Sequence, residues 1–251
     1  MHILVTNDDG VTAPGLLELV KALRALLDAR VSVLAPDRNW SASGHVKTMS
    51  RPMRVNSVQL SDGSGALACD GAPSDCVAMG LMGIIEDPLD LVVSGINPNA
   101  NIGLDVTYSG TVTAAMEASI NGKPGFAVSI DAPEYHQGNL DYIAAAAAAA
   151  KIVQELFAAY DGSLPPPIWN INIPYRPNGD YKGVQVTRLG TRLYRDALEK
   201  RVDPRGRPYY WIAGEAPGGV EEEGTDYGAL KAGYISVTPL KMDMTDTTRL
   251  F

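Results

Sequence analysis

Residues 2–36, "HILVTNDDGVTAPGLLELVKALRALLDARVSVLAP", decide how this chain folds. "HILVTN" (His2–Asn7) is apolar, β-rich and too short for a helix, which marks a buried strand. Pro14 then stands where a first helical turn tolerates it. Leu16, Val20, Leu23 and Leu27 follow at helical spacing, so "GLLELVKALRALLDA" (15–29) reads as an amphipathic helix. "VSVLAP" (Val31–Pro36) is a second strand, ended by proline. Strand, helix and strand in this order imply parallel pairing and a right-handed crossover.

The pattern recurs outward from this unit. Pro73 opens the helical run "SDCVAMGLMGI", and "LDLVVSG" (Leu89–Gly95) is a strand. "SGTVTAAMEASING" (Ser109–Gly122) is a helix closed by glycine, and "GFAVSI" (Gly125–Ile130) a strand. A long helix spans about 140–160, and "IWNINI" (Ile168–Ile173) is a strand. Between Met53 and Cys69 an inserted hairpin is expected. These segments make a Rossmann-like, doubly wound α/β fold with a mostly parallel sheet. After "PPP" (Pro165–Pro167) the character changes: "VQVTRL", "PYYWI" and "YISVTPL" are strands between loops rich in Gly, Pro and charge. We expect one domain over 1–251, with a core over about 1–175 and a hairpin plus arm over about 176–251.

Composition narrows the function. The chain has 251 residues, 45% of them hydrophobic and 20% charged, which is ordinary for a globular protein able to bury a large core. A net charge of −8 argues against general nucleic-acid binding, which needs a basic surface. Cys69 and Cys76 form no CxxC pair and, with three histidines in the chain, no zinc pattern, so they are expected as buried thiols. No secretory leader or apolar run of membrane-spanning length is evident, so a cytoplasmic protein with no membrane partner is expected.

In open α/β sheets ligands sit beyond the carboxyl ends of the strands. The first strand delivers Asn7, Asp8 and Asp9 there. The second delivers "APDRNWSASGH", with Asp37, Asn39, Ser41, Ser43 and His45. The strand at 89–95 delivers Asn97, Asn99 and Asn101, and "YSGTV" places Ser109, Gly110 and Thr111 at a helix start. Each element alone has a plain structural explanation. Asn-Asp-Asp-Gly is an ordinary turn, Ser109 an ordinary N-cap, the three asparagines ordinary turn residues, and His45 a polar loop residue. Four loops converging on one sheet edge with oxygen donors are less ordinary. Carboxylates, amide carbonyls and hydroxyls suit a hard cation such as Mg²⁺ or Mn²⁺, and a helix N-terminus suits phosphate. Together they point to phosphoryl chemistry, with Asp8 or Asp9 as the candidate to orient water or take its proton.

The blocks "ILVTNDDG", "APDRNWSASGH", "GAPSDCV", "SGIN…N" and "YSGTVTAAMEAS" resemble those of the SurE family of metal-dependent 5′/3′-nucleotidases. The likeness continues through "NINIP", "DPRGRPYYW", "EGTDYGAL" and "GYISVTPL". It implies one divalent ion per subunit, Mg²⁺ or Mn²⁺, held by Asp8, Asp9, Ser41 and Asn97. It implies a phosphate-binding segment at Asn101, Ser109, Gly110 and Thr111, with Ser43, Gly44 and His45 lining the same cleft. It implies hydrolysis of nucleoside 5′- and 3′-monophosphates, and of short polyphosphate. It also implies a homodimer or homotetramer joined by a carboxy-terminal swapped arm, which we place at "EGTDYGALKAGYISVTPL" (Glu223–Leu240). The chain departs from the family's usual residues at Ala72, Asn99 and "EAS" (Glu117–Ser119). At Asn99, after Pro98, the asparagine is expected to take a left-handed turn position usually filled by glycine.

A receiver-type signalling module shares the paired acids, but it needs an acceptor Asp where this chain reads "SGIN". A covalent-aspartate phosphatase needs Asp-x-Asp where residues 7–9 read Asn-Asp-Asp.

Overall fold

The computed structural model describes residues 1–27, 29–133 and 136–249. Asp28, at the expected end of the first helix, and residues 250–251, at the end of the expected arm, lie outside them. The chain runs β1 (His2–Thr6), α1 (Pro14–Leu27), β2 (Arg30–Pro36), β3 (Val55–Gln59), β4 (Gly65–Cys69) and α2 (Pro73–Met79). It continues through β5 (Leu91–Asn97), α3 (Gly110–Ile120), β6 (Gly125–Asp131), α4 (Ile143–Ala158) and β7 (Ile168–Pro174). Last come β8 (Val184–Val186), β9 (Arg192–Val202), β10 (Pro208–Gly219), α5 (Asp226–Ala232) and β11 (Ile235–Leu240).

Nine strands form one sheet in the order β3-β4-β2-β1-β5-β6-β7-β11-β8. From β4 to β7 every neighbour is parallel; β3 and β11 are antiparallel to β4 and β7, and β8 lies parallel to β11. This is the doubly wound α/β architecture. The alternation along β1 shows how it closes. Ile3 and Val5 enter the core under α1 and α4, with Leu16, Leu19, Leu23, Ala146 and Ala149. Leu4 enters the core on the other face, with Cys76 and Val77 of α2 and Ala114 and Ala118 of α3. Both cysteines are buried and free.

The strand order reverses between β1 and β5. The chain first steps from β1 to β2 on one side, and later places β5, β6 and β7 on the other. Loops leaving the carboxyl ends of β1 and β5 therefore part in opposite directions and open a crevice between them.

The last third holds the expected hairpin, while the segment expected as an arm lies against the chain's own body. α5 and β11, the segment assigned above to an exchanged arm, pack onto the chain's own sheet, where β11 pairs with β7 and β8. Leu230, Ile235 and Val237 are buried there. The part that leaves the body is the β9–β10 ribbon, an antiparallel pair separate from the main sheet. Among the described residues, no helix is long and apolar enough to cross a membrane.

Candidate active site

Asn7 and Gly10 make the turn after β1. The Asn7 amide donates to the Gly10 carbonyl at 2.9 Å, and Gly10 N–H donates back to Asn7 Oδ1 at 3.2 Å, with Gly10 at φ +106°. That reciprocal pair accounts for the turn and leaves Asp8 and Asp9 without a structural duty of their own. Asp8 is 3% exposed. Its carboxylate accepts the Thr111 hydroxyl at 2.6 Å. Asp9 is half-buried and has one long contact, from the Asn39 amide at 3.4 Å. Burial raises the Asp8 carboxyl, moderated by hydrogen bonds from Thr111 and Gly110. Burial and the neighbouring Asp8 charge push Asp9 up to about 7. Two carboxylates that resist ionising side by side are relieved by a cation.

The loop after β2 is fastened to this turn and to α3. Trp40 N–H donates to the Asp8 carbonyl at 2.7 Å, and Gly44 N–H to the Tyr108 carbonyl at 2.9 Å. The Thr113 hydroxyl donates to the Gly44 carbonyl at 3.0 Å. Ala42 and Gly44 adopt left-handed backbone, at φ +57° and +62°. The Ser43 hydroxyl is buried with no partner. A Cβ on Gly110 would lie 2.8 Å from the Asp8 Cβ and 3.2 Å from Ser43 Oγ, so α3 approaches this closely only because it begins with glycine.

After β5, the Asn97 amide donates to the Asn99 carbonyl at 2.5 Å and closes the loop. Asn99 does not take the left-handed position expected for it; among the described non-glycine residues Ala42 is the one with positive φ. Asn101 is held on three sides. Its N–H donates to Asn172 Oδ1 at 2.8 Å and its amide to the Ser129 hydroxyl at 2.8 Å. Its carbonyl accepts from Asn170 and Asn172 at 2.7 and 3.0 Å. Ser109 caps α3, its hydroxyl accepting from Val112 N–H at 3.1 Å.

These loops enclose a cleft of about 670 Å³ lined by Asp8, Ser41, Asn97, Asn101 and Ser109 among others. Asp9, Ser43, Gly44, Gly110, Thr111 and His45 are not on its lining. Thr111 and Gly110 stand behind Asp8. His45 turns away: its Nε2 meets Glu117 at 2.9 Å, and Lys47 joins the same carboxylate at 3.1 Å. Glu117 is buried, yet hydrogen bonds from His45, Lys47 and Asn121 outweigh that burial and hold its carboxyl below the usual value.

Among the described residues, no three His, Cys, Asp or Glu side chains gather as a metal-binding group. Two of the four donors expected here, Ser41 and Asn97, are neutral oxygen donors, and they share the cleft wall with Asp8. An all-oxygen set of this kind fits a hard cation with open coordination positions.

The structure adds residues that the sequence reading missed. Ser129, Asn170 and Asn172 are buried and orient Asn101. Asp105, Tyr108, Asp131, Tyr175, Arg192, Tyr227 and Lys231 complete the cleft wall. Asp226 ties that wall together, accepting from Gly103 N–H and Gly190 N–H at 2.8 Å each.

The profile of one family, "Survival protein SurE", matches residues 3–196. The chain belongs to the SurE family. A 5′-nucleotidase SurE from Herpetosiphon aurantiacus is 51% identical over 247 residues, which is 98% of this chain and 94% of that one. A relative of the same name from Chloroflexus aggregans is 50% identical, covering 98% of this chain and 94% of its own. The crystal structure of SurE from Aquifex aeolicus superposes with a TM-score of 0.83 at 41% identity, covering 100% of this chain and 97% of that one. The SurE profile ends inside β9, whereas the similarity to these relatives spans 98% of this chain.

Proposed function

We propose that this SurE chain is a 5′-nucleotidase that hydrolyses nucleoside 5′-monophosphates to nucleoside and phosphate. Nucleoside 3′-monophosphates and short polyphosphate are further substrates of the same site. The observation that carries this reading is the meeting of Asp8 with Asn97, Ser41 and the start of α3 at the reversal of strand order. The curated names of the relatives point to the same chemistry.

Asp8, Asp9, Ser41 and Asn97 are the residues to hold one divalent ion, Mg²⁺ or Mn²⁺. Such an ion supplies charge neutralisation for the phosphoryl group and a more acidic water. Asp8 is fixed by the Thr111 hydroxyl, so it serves to position charge at the cleft wall. Asp9 is the less committed of the two, with one long contact from the Asn39 amide, and is the candidate to orient the attacking water or take its proton. Asn101, immobilised from β6 and β7, presents its side chain to a phosphate oxygen without having to reorganise. Ser109, which caps α3 and lines the cleft, brings that helix N-terminus to the phosphate end.

The exposed ribbon is the surface through which we expect a homodimer or homotetramer to assemble. Trp211 and Ile212 near its end are 58% and 84% exposed.

The test is a panel of nucleoside 5′- and 3′-monophosphates, tripolyphosphate and p-nitrophenyl phosphate, assayed with each divalent metal. The reading predicts turnover of mononucleotides above that of p-nitrophenyl phosphate. Trapping of a stable phospho-enzyme from labelled substrate would instead favour covalent catalysis by an aspartate.

A further inference from the structure

The cleft is larger than a phosphate requires. Besides Asp8 and Ser109 its lining includes Tyr108, Asp131, Tyr227 and Lys231. Asp131 closes β6, two strands from β1, and strands lie about 4.8 Å apart, so it stands roughly 10 Å along the sheet edge from the turn bearing Asp8.

Two ion pairs face this cleft, and they differ in how firmly they are tied. Arg192 Nε meets Asp105 at 2.7 Å, and the Tyr194 hydroxyl occupies the other Asp105 oxygen. That pair is largely buried and anchors the base of the ribbon. Lys231 lies 3.5 Å from Asp131, with side chains 40% and 34% exposed. An exposed pair at that distance contributes little to stability, so both groups are available to other partners. Lys231 is nonetheless held in place, with its ammonium 5.1 Å above the ring of Tyr227. Tyr108, 62% exposed, stands on the wall of the same cleft.

An acceptor and a donor side by side, with an exposed aromatic residue on the same cleft wall, suit a nucleobase edge. We infer that Asp131, Lys231 and Tyr108 form the nucleobase subsite of this enzyme and that it favours guanine. Guanine places the acceptors O6 and N7 beside the donors N1–H and N2–H₂. The Asp131 carboxylate accepts both donors in parallel, and the Lys231 ammonium donates to O6. Adenine and cytosine each offer this carboxylate one exocyclic amine, and uracil one ring N–H. The Tyr108 ring supplies stacking, which every base shares.

This inference rests on the nucleotidase reading, and its test separates the two. Steady-state kcat/KM is measured for GMP, AMP, CMP, UMP and p-nitrophenyl phosphate with wild type, Asp131→Asn and Lys231→Met. Guanosine and uridine binding to the same proteins is measured by calorimetry, which needs no turnover. A good bidentate contact is worth roughly 1–3 kcal/mol, so GMP should exceed UMP by about tenfold or more in wild type. That ratio should fall to about unity in Asp131→Asn and drop several-fold in Lys231→Met. Guanosine should bind wild type at least about tenfold more tightly than Asp131→Asn. A GMP to UMP ratio that Asp131→Asn leaves unchanged, or equal binding of guanosine and uridine to wild type, overturns the inference. If no nucleotide is hydrolysed but guanosine binding still depends on Asp131, the nucleotidase reading fails and the subsite stands.

Discussion

The strands β1 and β5 and the ribbon strand β9 are built by opposite rules. Every residue of β1 and β5 is buried; the loop leaving β1 carries Asp8 and Asp9, and β5 ends on Asn97. Every residue of β9 after Arg192 is exposed, and among the described residues the ribbon meets the cleft at its base, through Arg192 and Pro217. A strand closed on both faces fixes the loops at its end to within the tolerance of a packed core, which a catalytic site needs. A ribbon open on both faces fixes nothing at a distance and instead offers surface.

The comparison is broken most directly by changing one residue on each side. Asp8→Asn keeps the shape of the turn and removes one charge, and kcat should fall by at least about a hundredfold, because metal-centred charge stabilisation is worth several kcal/mol. Thermal stability without metal should hold or rise, since a like-charge repulsion is relieved. Near-normal turnover would make Asp8 a turn residue and nothing more. The ribbon counterpart, Trp211→Ser with Ile212→Ser, should lower the mass found by light scattering and leave the melting temperature of the body within a few degrees. If the ribbon pair cost as much activity as Asp8→Asn, the two regions would not be separable as described.

Smaller effects sharpen the same contrast. Asn172→Ala leaves the buried Asn101 N–H without its acceptor and removes one of the two amide donors to its carbonyl, Asn170 keeping the other. Leaving such buried groups unpaired costs roughly 1–3 kcal/mol, and we expect a comparable loss of stability with about a tenfold loss in kcat/KM, readable by denaturation and by assay. Glu117 ties the loop after β2 to α3. Its carboxyl is held below the ordinary 4.5 by His45, Lys47 and Asn121 against its burial. A depressed carboxyl contributes stability that is present above the unfolded value and lost as pH falls through the folded one. Melting temperature measured from pH 6 down to pH 3 should therefore fall more steeply below about pH 4.5 in wild type than in Glu117→Gln. Parallel curves would show that this carboxylate adds nothing to the hold on the loop.

The alternation and helical spacing of residues 2–36 announced the fold because burial on both faces leaves a strong pattern. The charged strand "RLYRDALEKRV" announced nothing, since a ribbon strand buries neither face and its composition is that of a solvated surface. The short helix α5 went unread for a related reason: seven residues with a glycine inside give too little periodicity, although Thr225 caps it. The asparagines of "NINIP" were read as strand. Two amides at alternate positions of an apolar strand, Asn170 and Asn172, were the available sign that one face meets a polar loop. Backbone detail was the least legible. The proline before Asn99 points to left-handed geometry there that the loop does not use, whereas Ala42 adopts it without any sequence preference to signal it.

The account rests most heavily on a cation and phosphate site at the point where strand order reverses. Phosphate release from GMP, measured in excess EDTA and again after adding back Mg²⁺ or Mn²⁺, tests that claim with the intact protein. The account predicts that chelation abolishes release and that either ion restores it in wild type but not in Asp8→Asn. Full release in EDTA, with no metal found by elemental analysis, would contradict it.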